Sequence, residues 1–460
     1  MTIQASRIRV LNAAEPRPDG AYVLYWMQQS QRAAHNPALE HAVDEANARG
    51  LPVLVCFGLT DGYPEANARH YSFLLEGLAE AKAALARRGI AFAIRRGAPD
   101  DVALDLSRRA ALVVCDRGYL KPQKAWYAGL AGRIACRLVQ VEGDVVVPIE
   151  TASPKHEFAA RSLRPKLQRV WNDYIVALQE RPVRHAADAL DAPGDIDLSD
   201  VPAALRSLAL DHSVGPVRRF KGGGSQARAR LDKYLGAPFA RYAKDRGLPE
   251  AGAASHMSPY LHFGQISPVE IALAVRASPS GGEEDRAAYL EELIVRRELA
   301  MNHVHYEQRY DSYEAVPDWA RKTLGEQAGD ARTNLYSREE LEAGGTHDRH
   351  WNAAMKEMRE TGYMHNHMRM YWGKKILEWS ASPGEAFDTT LRINNKYFLD
   401  GRDANSFTNV GWIYGLHDRP WFRRPIFGMV RYLGANTLKK FDSDGYVRVV
   451  DELAAREHAA

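Results

Sequence analysis

Cysteine is scarce in this chain: three in 460 residues, Cys56, Cys115 and Cys136, far apart and each in or beside an apolar run that reads as strand. An odd count at such spacing argues against a disulfide scaffold or a metal-ligand pattern, and it fits buried, reduced thiols in a cytosolic protein with no metal centre. Long apolar runs are missing as well. No stretch approaches 18 apolar residues, and the opening MTIQASRIRVLNAAEPRPDG has no signal-peptide core. The chain is therefore expected in the cytoplasm, neither secreted nor embedded in a membrane. Charge of one sign is not in surplus: 61 Lys and Arg face 58 Asp and Glu, a formal net charge of +3. A nucleic-acid partner would thus have to be held by basic groups gathered on one face. Neither G-x-G-x-x-G nor G-x-x-x-x-G-K-[ST] occurs, which removes support for nucleotide binding through those loops.

What is present is an ordinary globular composition, 45% hydrophobic and 26% charged, with nine Trp and 21 Tyr. At roughly 150 residues per domain the length suits two or three domains. From about Ala21 to Pro148, short β-branched or aromatic runs (AYVLYW, PVLVCFGLTD, IAFAIRRG, AALVVCD, RLVQVEGDVVVP) alternate with helical patterns, which calls for a Rossmann-like parallel sheet with crossover helices. Residues 1–180 are read as this α/β domain. Residues 181–224, rich in Pro, Gly and Asp, read as a long connector, and residues 225–460 as an all-α domain.

Chemistry-bearing residues concentrate in the helical half. Ser255 and Ser258 precede Pro259 at the start of a helix, an arrangement that serves equally as a cap or as a phosphate site. Arg369, Met370, Trp372 and Trp379 share one helix; the two tryptophans, seven apart, lie on one face about 10 Å apart along the axis. Such a stripe is ordinarily core packing. Between 393 and 412, Asn394, Asn395, Asp400, Arg402, Asp403, Asn405 and Asn409 form either a solvated loop or a hydrogen-bonding cradle for a heteroatom-rich ligand. Trp421, flanked by Arg419, Arg423 and Arg424, suits a wedge with phosphate contacts or an exposed cation–π cluster.

Taken in order, YWM, SPKHEFAARSLRPKL, SPYLHFGQIS, EELIVRREL, THDRHWNAAM, MRMYWGKKILEW, LDGRDAN and HDRPW-x-x-RPIFG-x-x-RY resemble the class II cyclobutane pyrimidine dimer photolyases of the cryptochrome and photolyase family, from about residue 20 to 445. The resemblance implies an α/β domain that can hold an antenna chromophore of deazaflavin or folate type, and a helical domain that binds FAD, reduced in the active form. It implies light-driven electron transfer from FAD to a pyrimidine dimer extruded from DNA, by a monomer. Tyr242, Ser255 and Ser258 then fall at the FAD phosphates, Asn394 near flavin N5, and Asp400, paired with Arg369, at the ring N3–H. Glu292 falls on the dimer's carbonyls, where burial beside a neutral lesion would raise its pKa. Met370 and Trp412 fall on the walls of the dimer pocket. Arg419 and Trp421 enter the gap left in the duplex, and Arg431 contacts phosphate. Trp351, Trp372 and Trp379 become an electron path, with Tyr336 or Tyr371 at its end.

The sequence departs from that pattern at four places. Arg296 stands where some members carry Trp, YWMQQSQRAAHN differs from the usual antenna motif, AMNHVHYEQ replaces an Ala-Asp-Asn-Phe run, and Ala404 replaces Pro. The alternative is a cryptochrome-like photoreceptor, which ordinarily carries a long signalling tail; the chain ends soon after FDSDGYVRVVDELAAREHAA begins. The expected DNA face comprises Arg161, Arg164, Lys166, Arg419, Arg423, Arg424 and Arg431.

Overall fold

Six strands form one sheet in the order β1-β6-β5-β2-β3-β4: β1 Ile8–Val10, β2 Tyr22–Trp26, β3 Val53–Leu59, β4 Ala91–Arg96, β5 Ala110–Asp116 and β6 Arg137–Val141. The computed structural model describes residues 3–188, 190 and 194–459. Strands β2 to β6 are mutually parallel, with Leu24 opposite both Leu54 and Val113. Helices α1 Pro37–Arg49, α2 Ala68–Ala86, α3 Pro99–Ser107 and α4 Lys121–Ala131 supply the crossovers. The expected Rossmann-like domain is thus present. One element was not expected: β1 pairs antiparallel with β6, Ile8 opposite Val141. Its three residues are mostly exposed and too few to show a period.

Every residue of β2, β3 and β5 is buried, because helices or loops cover both faces, and this is why those strands read as unbroken apolar runs. Alternate side chains fill two cores. Leu24, Trp26, Cys56 and Cys115 pack on one face; Val23, Tyr25 and Val55 belong to a core on the other that continues into the helical half through Tyr260, Leu293 and Leu399. The three cysteines are buried and unpaired, as expected. Local signals set the helix ends. The Asn36 side chain accepts from Ala38 N and Leu39 N, Pro37 occupies the first turn of α1, and Gly50 closes it at φ 69°.

Beyond β6 the regular elements are helical, including Ser258–His262, Glu283–Leu290, Arg297–Tyr306, Arg349–Thr361, Asn366–Trp379, Pro383–Tyr397 and Ala404–Ile413. Among the described residues of 181–223 the only regular element is the short helix Val201–Arg206. Gly362, at φ 69°, stops Arg349–Thr361, so Trp351 and Trp372 occupy separate helices, as its position predicts. Between Glu283–Leu290 and Arg297–Tyr306, the residues Glu291–Arg296 form a π-helical turn, a form frequent at functional sites. No helix among the described residues is long and apolar enough to cross a membrane.

Candidate functional site

The helical half surrounds a cleft with about 950 Å³ of space free of protein atoms, its open mouth included. Nine of the residues singled out from sequence line it: Tyr242, Ser255, Ser258, Glu292, Arg369, Asp400, Asp403, Asn405 and Asn409. They come from separate helices, helical turns and loops. Arg369, on Asn366–Trp379, forms a two-pronged pair with Asp400, Nη1 to Oδ1 at 3.1 Å and Nη2 to Oδ2 at 3.0 Å, while its Nε donates to Met364 O at 2.9 Å. This fork holds both planes in register and leaves the carboxylate's remaining lone pairs for another donor. The Asn-rich segment divides. Asp400, Asp403, Asn405 and Asn409 face the cleft, whereas Asn394, Asn395 and Arg402 do not line it. Asn394 is buried in Pro383–Tyr397 and its Nδ2 donates to Asn395 Oδ1 at 3.0 Å.

Tyr289, His262 and Arg297 in the wall were not singled out from sequence. Tyr289 donates from its hydroxyl to Ser255 Oγ at 2.9 Å, and its ring lies 5.2 Å from that of Tyr242. Asp403 sits 3.2 Å from His262 Nδ1. Burial pushes the Asp403 carboxyl up, but the His262 hydrogen bond and the Arg297 charge outweigh it and hold the group at about 2. Arg297, also in the wall, is anchored from the α/β half: its Nη2 lies 2.9 Å from Asp144 Oδ1 with both side chains buried. The hydroxyl of Ser258 and the amides of Asn366 and Asn409 have no protein hydrogen-bond partner among the described residues, although all three line the cleft. Ser258 opens the helix Ser258–His262 without capping it, so the capping reading is not borne out.

Glu292 is one correction. Its side chain is 39% exposed and Arg246 Nη1 lies 2.6 Å from its Oε1, so the expected burial does not hold. The π-turn carries Glu292 to the rim of the cleft, where an arginine from the neighbouring helix reaches it. Unlike Glu292, Met370 and Trp412 do not line the cleft. Trp412 lies one turn beyond Asn409 on Ala404–Ile413 and carries the Arg296 guanidinium 5.4 Å from its ring, while Arg296 Nε bonds Glu291 at 3.1 Å.

An aromatic file leads away from the cleft. The Arg369 guanidinium lies 3.9 Å from the Phe398 ring, and Phe398 meets Trp372 edge-on at 6.4 Å. Trp351 Nε1 donates to Trp372 O at 3.0 Å and its ring meets Trp379 at 5.6 Å. Trp379 in turn touches Tyr336 at 5.5 Å and the exposed His347 at 5.1 Å, and Tyr336 Oη lies 2.7 Å from His347 Nδ1. The file crosses between two helices rather than following one face. Tyr371 instead bonds Asp348.

On the outer surface, Trp421 is 39% exposed, and the guanidiniums of Arg419 and Arg431 each lie 5.2 Å from its ring. The expected basic face divides in two. Arg164, Lys166 and Arg423 pair with Glu291, Glu157 and Glu326. Arg161, Arg419, Arg424 and Arg431 lie over aromatic rings and have no carboxylate partner among the described residues.

A cleft walled by an Arg–carboxylate fork, serines, amides and tyrosines, joined to the surface by a tryptophan file, agrees with what sequence comparison returns. The profile of the family described as DNA photolyase matches residues 23–184. The deoxyribodipyrimidine photo-lyase of Methanothermobacter thermautotrophicus is 46% identical over 97% of this chain and 98% of its own. The chain belongs to the DNA photolyase family. The photo-lyase of Oryza sativa is 38% identical over 98% of this chain and 91% of its own, and that of Potorous tridactylus 35% identical over 93% and 81%. Among solved structures, a class III photolyase from Agrobacterium tumefaciens superposes with a TM-score of 0.72 at 20% identity, over 96% of this chain and 90% of that one. A Synechocystis cryptochrome superposes at 0.71 with 17% identity, over 93% and 88%. These two likenesses establish the photolyase and cryptochrome fold.

FAD, the cofactor this family implies, fits the residues present. Unsatisfied hydroxyl and amide groups face the cleft, a carboxylate held by Arg369 can accept from a ring N–H, and the tyrosine cluster offers flat apolar surface.

Proposed function

We propose that the chain repairs cyclobutane pyrimidine dimers in DNA by light-driven electron transfer, as a deoxyribodipyrimidine photolyase. The observation that carries this is the convergence of Glu292, the Arg369–Asp400 fork and the two serines on one cleft. When bound, reduced FAD supplies one electron on excitation, which splits the cyclobutane ring and is then recovered. The chain's own residues do the rest. Ser255 and Ser258 offer hydroxyls to a pyrophosphate, and Asp400, kept planar by Arg369, accepts the ring N3–H. At the rim, Glu292 accepts from a pyrimidine ring N–H, and Arg246 beside it donates to ring carbonyls, so an extruded dimer meets a matched pair. Trp412, stiffened by Arg296, walls the entrance. Arg419, Trp421 and Arg431 occupy the gap in the duplex and its phosphates. Phe398, Trp372, Trp351 and Trp379 form the electron path, ending at Tyr336.

An antenna is assigned to a second cavity, lined by Gln28, Gln31, Phe57, Tyr63 and Trp126 where the strand order reverses between β2 and β5. Its amide and aromatic lining suits a flat heteroatom-rich chromophore, and its presence is checked by absorption beyond that of flavin in the purified protein. The repair reading is tested with irradiated oligonucleotide and the reduced protein. Blue light should remove dimers and darkness should not; dimers that persist in the light would overturn it. With Glu292→Ala, repair yield should fall about tenfold while flavin content stays at the wild-type level. Loss of flavin as well would make Glu292 a structural residue.

A further inference from the structure

Large apolar side chains are seldom exposed in this molecule, yet Phe158 (59%), Trp421 (39%) and Phe422 (91%) all are. Phe158 is tied through His417 to the loop that carries Trp421. The Phe158 carbonyl accepts from His417 Nδ1 at 2.8 Å, and His417, held at φ 59°, lies four residues before Trp421. His417 packs edge-on against His303 at 5.6 Å and Trp412 at 5.9 Å, and His303 bonds His156, two residues before Phe158, at 3.1 Å. Both segments are therefore anchored at one cluster of imidazoles that packs against Trp412.

The Phe158 turn is fixed on its other side too. The helix Ala160–Tyr174 follows it, and Arg164 of that helix forks onto Glu291 at 2.9 and 2.7 Å; Glu291 also holds Arg296 over Trp412. Arg161 Cζ lies 5.1 Å from the Phe158 ring, repeating the arrangement of Arg419 and Arg431 around Trp421. An exposed ring in a rigid setting, with a cation over it that no described carboxylate neutralises, suits a polyanion that also offers π-faces. Among macromolecules that is nucleic acid.

We propose that Phe158 is a second aromatic finger, which stacks in the opened duplex opposite Trp421 so that the gap around an extruded lesion is gripped from two sides. This rests on the repair reading above. The test compares wild type with Phe158→Ala and Phe158→Tyr on three probes: a dimer-containing duplex, the same dimer in a single strand, and undamaged duplex. Phe158→Ala should weaken binding to the damaged duplex about tenfold, with Phe158→Tyr restoring most of the loss. Single-strand affinity should change less than twofold, because no gap exists there to fill, and flavin absorption should be unaltered. Damaged-duplex affinity within twofold of wild type would overturn the proposal, as would an equal loss on single strand and duplex. Failure of the repair reading shows separately, as wild-type protein that binds damaged and undamaged duplex alike.

Discussion

At the scale of single residues, the aromatic file is held by contacts between helices: the Trp379 ring lies 5.6 Å from that of Trp351, and Trp351 Nε1 donates to Trp372 O at 3.0 Å. Trp351, Trp372 and Trp379 were legible through their motifs, but the geometry that links them was not. Trp372 and Trp379 share a helix, yet the ring contact of Trp379 is with Trp351 on another helix, and Phe398, in a segment noted for its polar residues, lies between Trp372 and Arg369. Spacing along one helix cannot report contacts across two. Glu292 was legible by type and position, but its Arg246 partner, 46 residues away, was not. If electrons enter through Tyr336 and Trp379, Trp379→Phe should slow light-driven reduction of bound flavin by an order of magnitude or more, while chemically reduced protein repairs dimers at the wild-type rate. Unchanged photoreduction, followed by flavin bleaching under blue light, would remove Trp379 from the path.

At the scale of elements, the loop that carries Trp421 is built on buried neutral imidazoles. Burial lowers His417 to about 4 and His303 to about 2, against a usual value near 6.5; for His417 the hydrogen bond to the Phe158 carbonyl opposes the shift while the His156 and Arg296 charges add to it, and for His303 the His417 and His156 charges add to it. The sign of the pH effect follows. The unfolded chain binds protons at His417 below about pH 6.5 and the native chain does so only near 4, so the stability this group contributes is present above 6.5 and drains away as pH falls through that window. His417→Gln keeps a side-chain amide donor for the Phe158 carbonyl and removes the titration. Its stability relative to wild type should therefore improve by roughly 2–3 kcal/mol between pH 6.5 and 4, read from urea unfolding at each pH. A constant difference across that range would show that His417 is not buried as a neutral ring.

At the scale of the whole molecule, the two halves were separable in the sequence because their periodicities differ, but the bonds between them were invisible there. Arg32 donates to Gly264 O at 2.9 Å, Arg69 donates to Tyr397 O at 2.8 Å, and Val146 N donates to Glu298 Oε1 at 2.6 Å, each across more than 150 positions. Such bonds pair groups on loops and helix ends, where no pattern announces them. The Arg297–Asp144 pair is the sharpest case, since Arg297 lines the cleft while Asp144 belongs to the segment after β6. Burial raises the Asp144 carboxyl to about 6, with the Arg297 charge opposing, so the pair is desolvated and holds together through its geometry. Asp144→Asn keeps the shape and removes the nearest countercharge, leaving the buried guanidinium to the Asp403 carboxylate, at a cost of up to about 3–5 kcal/mol. Because the apolar core runs unbroken from the sheet to Tyr260 and Leu399, that loss should lower one shared melting transition instead of freeing one half. Calorimetry would then show a single lowered peak, with flavin released from the cleft wall in the same transition. Two separated peaks, with flavin retained through the first, would mean that the halves fold independently of this pair.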